Sequence, residues 1–335
     1  MTPAFGPEKG PHPLPAIGGW PQQAHLFDDR SVWAVQAALA TGRPLLVRGE
    51  PGTGKSQLAR AAAHVLKWPL LCEVITSRSE STDLLWRFDA VSRLGEAQIQ
   101  GSMTASGLTK PEAIRSNLDP LNFLQPGRLW WALNWRSALA QAGKARCALP
   151  DGMPANGLEK DQGCVVLVDE IDKADADVPN GLLECLANQS FHVPYLSSPV
   201  ARNADQPNPL VVITTNEERE LPAAFLRRCL VLHYSLPREQ GALKAWLIER
   251  GEAHFPQQKA AMKGDFGSVL AEAANQLILD RSTAQETGLA VPGQAEYLDL
   301  LRAVFEIASL RSMAPMDVLK MVKDFTLKKN PEQVR

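Results

Sequence analysis

Apolar residues along the chain fall into two rhythms. Over the first two-thirds they come as short runs of strand length, unbroken but for Glu73. These are Pro44-Leu45-Leu46-Val47, Leu70-Leu71-Cys72-Glu73-Val74-Ile75, Cys164-Val165-Val166-Leu167-Val168, Leu210-Val211-Val212-Ile213 and Cys229-Leu230-Val231-Leu232. A continuous β-branched run such as 164–168 is what a strand buried on both faces of a parallel sheet looks like. Helical spacing appears between the runs, at Val32, Val35 and Leu39, and again at Leu58, Ala62 and Val65. Beyond Leu236-Pro237 only helical spacing remains: Leu243, Trp246 and Leu247; Leu270, Ala274 and Leu277; Tyr297, Leu300, Leu301 and Val304. The pattern predicts an α/β domain followed by an all-helical one.

Three divisions follow. Residues 1–24 are crowded with Pro and Gly and read as a flexible or surface-draped arm, residues 25–236 as the α/β domain, and residues 237–335 as the helical domain. Within the α/β domain some stretches fit no single period. Asp83 to Phe88 reads as a short helix or a loop, and Ala90 to Gln100 is ambiguous. Indoles cluster at Trp130, Trp131 and Trp135, Ala145 to Gly163 reads as an exposed loop, and the charged tail from Lys328 is expected to fray.

The first stretch with chemistry lies between the first apolar run and the helix that follows it. Gly49-Glu50-Pro51-Gly52-Thr53-Gly54-Lys55-Ser56 fits Gly, four residues, Gly-Lys-Ser/Thr, in the strand–loop–helix context that the pattern needs. Glycines at 49, 52 and 54 let the backbone turn where other residues cannot and approach a phosphate closely. Their N–H groups then meet the positive end of a helix dipole, which favours an anion. Lys55 is expected on the β- and γ-phosphates, Ser56 on Mg²⁺, and the cradle extends over Glu50, Pro51, Thr53 and Gln57.

The run 164–168 ends in Asp169-Glu170, at the edge of a parallel sheet where ligands bind. Asp169 can hold the metal, and Glu170 can orient and polarise an attacking water. Leu210 to Ile213 leads into Thr214-Thr215-Asn216, where Asn216 is either a ligand to the γ-phosphate or the water, or a turn former. Taken on their own, Arg227-Arg228 after the short helical stretch 221–226 read as a solvated helix end.

Composition narrows the setting. At 335 residues the chain is long enough for about two domains. A net charge of −2 gives no electrostatic case for nucleic acid or an anionic membrane, and no apolar run is long enough to span a bilayer. Five cysteines without a Cys-x-x-Cys pair, and an N-terminus unlike a signal peptide, set the chain in a reducing cytoplasm.

In order, Gly42-Arg43-Pro44 to Ser56, Val166-Leu-Val-Asp-Glu-Ile-Asp-Lys-Ala-Asp175, Thr214-Thr-Asn-Glu-Glu-Arg-Glu-Leu-Pro222 and Ala224-Phe-Leu-Arg-Arg-Cys229 resemble an AAA+ ATPase of the MoxR type, over roughly residues 25–310. The resemblance implies a parallel-sheet αβα nucleotide-binding core, a smaller C-terminal all-α lid, and ring assembly, usually hexameric, with ATP and Mg²⁺ at subunit interfaces. By motif position it makes Asp169 the metal-binding acid, Glu170 the catalytic one and Asn216 a polar sensor. Arg228, with Arg227, becomes the arginine that reaches a neighbour's γ-phosphate. It also implies a helix and hairpin at 182–193, with Phe191 and His192 as substrate contacts unless the hairpin is simply packed. The pattern departs in the lid. Relatives carry an arginine where Gln294 stands, and the sequence does not show whether Arg281 or Arg302 takes its part.

Three functions fit. The first is a ring ATPase that remodels or matures a partner protein, with a von Willebrand A-domain protein as the partner type the resemblance suggests. The second is a nucleotide-dependent switch or scaffold in a bacterial conflict system. The third is a nucleic-acid motor subunit of the McrB type, against which the near-neutral charge counts.

Overall fold

The five apolar runs become the five strands of one sheet. A computed structural model describes residues 2–16, 19–105, 111–154, 158–159, 162–262 and 264–327. In chain order the elements are β1 (Pro11–Leu14), β2 (Gln23–Leu26), α1 (Asp29–Thr41), β3 (Leu45–Arg48), α2 (Lys55–Leu66) and β4 (Leu70–Val74). There follow β5 (Trp86–Phe88), α3 (Ala90–Ala105), α4 (Pro111–Asn117), β6 (Leu124–Pro126), α5 (Arg128–Leu133), α6 (Trp135–Ala145) and β7 (Val165–Asp169). Then come α7 (Asp177–Gly181), α8 (Leu183–Asn188), β8 (Ser190–Phe191), β9 (Val200–Ala201), β10 (Leu210–Thr215), α9 (Ala223–Leu226) and β11 (Leu230–His233). Five helices close the chain: α10 (Gln240–His254), α11 (Pro256–Ala261), α12 (Asp265–Thr287), α13 (Gln294–Arg311) and α14 (Pro315–Leu327).

Strand order in the main sheet is β11-β3-β10-β7-β4. Leu70 and Leu210 both stand opposite Val165, and β4 and β10 run parallel to β7 from there. Parallel neighbours need crossovers, and helices supply them, so the central strands β7 and β10 are covered on both faces and read as almost wholly apolar runs. In β7 the residues Val165 to Val168 are buried to 1% or less.

The chain divides into two compact units. The first comprises residues 1–6, 30–47 and 62–232, and its core joins the sheet residues Leu46, Leu71, Val166 and Ile213 to Trp130, Trp131, Phe191 and Phe225. The tryptophan cluster is therefore packing. Trp130 is fully buried, its indole N–H donates to Ser137 Oγ at 3.0 Å, and Phe191 meets it edge-on at 6.0 Å. Phe191 is accordingly a core residue of the β8–β9 hairpin rather than a substrate contact, while its neighbour His192 is exposed. The stretch 86–88 pairs antiparallel with β6, and Ala90 onward forms α3. In the loop before β7, Leu158 is buried in the same core, whereas residues 155–157 and 160–161 lie outside the described residues, as does the tail from 328.

The second unit comprises residues 7–29, 48–61 and 233–335. Its helical core is built on Leu247, Leu270, Leu277, Tyr297, Leu301 and Val304, and the Tyr297 hydroxyl donates to the Leu270 carbonyl at 3.2 Å. The proline-rich arm is more ordered than its composition implies. β1 and β2 form an antiparallel ribbon, Pro11 opposite Leu26, and β2 packs on α10. A two-stranded ribbon has only edges, where a missing N–H costs no ladder bond. Buried Arg60 anchors the arm further, donating to Pro15 O at 2.8 Å and Gln23 Oε1 at 2.9 Å, with its guanidinium 4.7 Å from the Trp20 ring centre.

Candidate nucleotide site

The phosphate loop in the second unit is shaped by its glycines. Gly49 has φ +149° and Gly54 φ +91°, and a Cβ on Gly49 would overlap the Tyr234 carbonyl oxygen. Lys55 is buried, and its Nζ donates to Gly49 O at 2.8 Å and Glu50 O at 2.7 Å, while Thr53 Oγ1 donates to Glu50 O at 2.9 Å. The loop is thus held closed on itself around a cation, with α2 beginning at Lys55. Its amides and ammonium form a concave cationic seat for an anion.

Beside Thr53 and Gly54, buried His25, Arg250 and Gln294 and partly buried Gln57, Tyr234 and His254 line a cavity of about 10 Å³, room for about one water molecule. Gln294, the uncharged residue noted in the sequence, lies there. Of the two cations weighed as its substitutes, Arg302 pairs on the surface with Asp299 at 2.7 Å, whereas buried Arg281 donates to Glu50 Oε2 in the loop at 2.9 Å.

His25 in this cavity carries a pH prediction. Burial lowers its pKa from 6.5 to about 4; the Gln57 hydrogen bond opposes this, Arg250 and His12 add to the lowering, and Asp28 opposes it slightly. Burial lowers the His254 pKa as well. Both are neutral in the fold and protonate more readily when unfolded. Stability is therefore full above about pH 6.5 and falls as the pH drops toward 4, by up to about 3 kcal/mol from His25. Urea midpoints measured from pH 7 to 4.5 should fall, and His25→Gln should flatten that slope; an unchanged slope would contradict the account.

The acids lie in the first unit. Asp169 closes β7, and Glu170 adopts a left-handed backbone, φ +59° and ψ +50°, which is costly for a residue with a side chain. Thr214 on β10 bridges the two: its hydroxyl donates to Asp169 Oδ1 at 2.6 Å and accepts from the Glu170 N–H at 2.9 Å. Asn216 Nδ2 donates to Glu170 Oε1 at 3.2 Å. Buried Asp172 accepts from the backbone N–H groups of Asn216 and Glu218 at 3.2 and 3.0 Å, fixing the turn that carries Asn216. Asp169, Glu170 and Asn216 are thus brought together. The sequence reading passed over Thr214 and Asp172. Two threonines breaking an apolar run, and an acid two residues after Asp-Glu, were the signals available.

Arg227 and Arg228 follow α9. Arg43 donates to the carbonyls of Arg227, Arg228 and Cys229, which ties down the backbone while both arginine side chains stay exposed. Arg228 Nη1 reaches Ala224 O at 3.2 Å, and among the described residues neither arginine forms an ion pair. With Thr41, Asn188, Gln189 and Asn208 they border an open groove of about 550 Å³.

A five-stranded parallel sheet flanked by helices, a glycine loop opening on a helix, acids ending a central strand and a helical C-terminal region together define a P-loop protein of AAA+ fold. The chain belongs to the AAA domain (dynein-related subfamily), which matches residues 44–229, more than half its length. Among solved structures, a candidate ATPase from Cytophaga hutchinsonii is similar over 89% of this chain and 79% of its own, at 13% identity and a TM-score of 0.38. A point variant of RuvB from Thermotoga maritima is similar over 88% and 67%, at 16% identity and a TM-score of 0.44. No curated protein sequence matches. Among the described residues no helix is long and apolar enough to cross a membrane.

Proposed function

We propose that the chain is an ATP-hydrolysing, ring-forming ATPase of the MoxR type that remodels or matures a partner protein, of which a von Willebrand A-domain protein is the expected kind. The observation that carries hydrolysis beyond nucleotide binding is the fixing of Glu170, its backbone by Thr214 and its carboxylate by Asn216. A base must be aimed before it can take a proton from water. Phosphates are assigned to the loop amides and Lys55. The Ser56 hydroxyl and Asp169 carboxylate are hard oxygen donors of the kind Mg²⁺ takes, alongside phosphate oxygens and water. Bound there, the metal neutralises charge on the phosphates.

Lys55→Ala tests the assignment. Removing the ammonium should weaken ATP binding by about 3 kcal/mol, roughly a hundredfold, in an equilibrium titration. Unchanged affinity would refute the phosphate-loop reading. Turnover measured against protein concentration, with mass followed in parallel, should climb as copies assemble. Stimulation by a protein partner supports remodelling. Binding without turnover in the assembled state would support a switch, and stimulation by DNA or RNA that fades with salt a nucleic-acid motor.

A further inference from the structure

Glu50 is an unexpected residue for the second position of an anion-binding loop, since its carboxylate adds negative charge where phosphate oxygens would gather. The second unit neutralises it from far along the sequence. Arg281, near the end of α12, donates to Glu50 Oε2 at 2.9 Å and to the Pro292 carbonyl at 2.5 Å. The two partners are unequal: the Arg281 side chain is 9% exposed, that of Glu50 54%. A half-exposed carboxylate can turn to water at little cost, whereas a buried guanidinium that loses its anion needs another. Its planar fork suits phosphate as well as carboxylate.

We propose that Glu50 is an internal competitor for Arg281. It holds the guanidinium while the loop is empty and yields it to the polyphosphate when nucleotide binds. The exchange also reports occupancy to the C-terminal helices. The Pro292 carbonyl that Arg281 grips lies three residues before Ala295, whose N–H bonds Gly52 O at 3.0 Å, and Gly293 N–H is held by Glu296 Oε2 at 2.8 Å. The start of α13 therefore rests on the same loop. This inference depends on the loop binding a nucleotide.

The test is an equilibrium titration of the full chain with a fluorescent ATP analogue, comparing wild type, Glu50→Gln, Arg281→Gln and the double variant, each checked for folding by circular dichroism. Glu50→Gln should tighten binding roughly fivefold, Arg281→Gln should weaken it by at least as much, and the double variant should match Arg281→Gln within about twofold. An equal gain from Glu50→Gln in both backgrounds means plain repulsion between Glu50 and phosphate, and overturns the exchange; so does no gain. If Arg281→Gln does not fold, Arg281→Lys serves, because losing the fork should shrink the Glu50→Gln gain there too, and a full gain overturns the proposal. A wild type that binds no better than Lys55→Ala removes the nucleotide reading itself, and this inference with it.

Discussion

Glu170→Gln is expected to lower steady-state ATP turnover by about 10²- to 10⁴-fold while leaving nucleotide affinity nearly unchanged. The geometry makes this substitution informative. Glu170 stands in a left-handed backbone whose N–H is held by Thr214 and whose Oε1 accepts from Asn216 at 3.2 Å. Glutamine has the same shape, and its carbonyl oxygen accepts the Asn216 bond, so the turn survives. The amide cannot take a proton from water. Binding and chemistry should therefore separate: single-turnover hydrolysis becomes slow, equilibrium titration reports wild-type affinity, and an assembled state accumulates with ATP. Wild-type turnover by the variant would show that Glu170 is not the base. Lost affinity together with lost turnover would instead give Glu170 a binding role, with water activation assigned elsewhere.

How much of this was legible beforehand differs by element. Parallel strands were readable because burial on both faces leaves an uninterrupted run such as Val165-Val166-Leu167-Val168. The phosphate loop was readable because its glycines answer to backbone geometry, as the Gly49 close approach to Tyr234 shows. Side-chain partnerships were not. Nothing local says that Thr214 would bridge Asp169 and Glu170, since those bonds cross 44 and 45 residues between adjacent strands. Nor could position 281 be tied to position 50 by any period, because the link runs through α12 and tertiary packing. The ribbon in the arm was hidden for a different reason. Its prolines forbid helix, which the composition registers, but they permit an edge ribbon, and the buried Arg60 that anchors it lies in another element. The indole cluster carries no role legible in the sequence, because spacing alone does not separate packing from binding. Trp130 and Trp131 are buried in the core beside the sheet, Trp130 edge-on to Phe191, while Trp135 is only partly covered.

Arg228→Ala should leave nucleotide affinity within about threefold and reduce turnover by about 10³-fold, the loss expected when a charge facing the transferred phosphoryl group is removed. Two features of the first unit support the choice. Arg43 clamps the carbonyls of Arg227, Arg228 and Cys229, so the backbone after α9 is fixed and the guanidiniums project outward. Arg228 is exposed, its Nη1 bonds Ala224 O at 3.2 Å, and among the described residues no carboxylate pairs with it. An arginine presented on a rigid turn can act on a neighbouring copy at little reorganisation cost. A solvated helix end predicts the opposite, because removing an exposed cation there changes little. Mixing decides between them. Arg228→Ala subunits keep their own phosphate loop but offer no arginine, while Lys55→Ala subunits offer the arginine but stay largely empty at an ATP concentration that just saturates the intact loop. Combined, they should recover a measurable fraction of wild-type turnover that neither has alone, rising with total concentration as mixed assemblies form. If Arg228→Ala is inactive and mixing restores nothing, the arginine acts within its own chain and the interface-completed site is wrong. If Arg228→Ala turns over normally, Arg227→Ala is the next test, and two fully active variants would return the pair to the solvated reading.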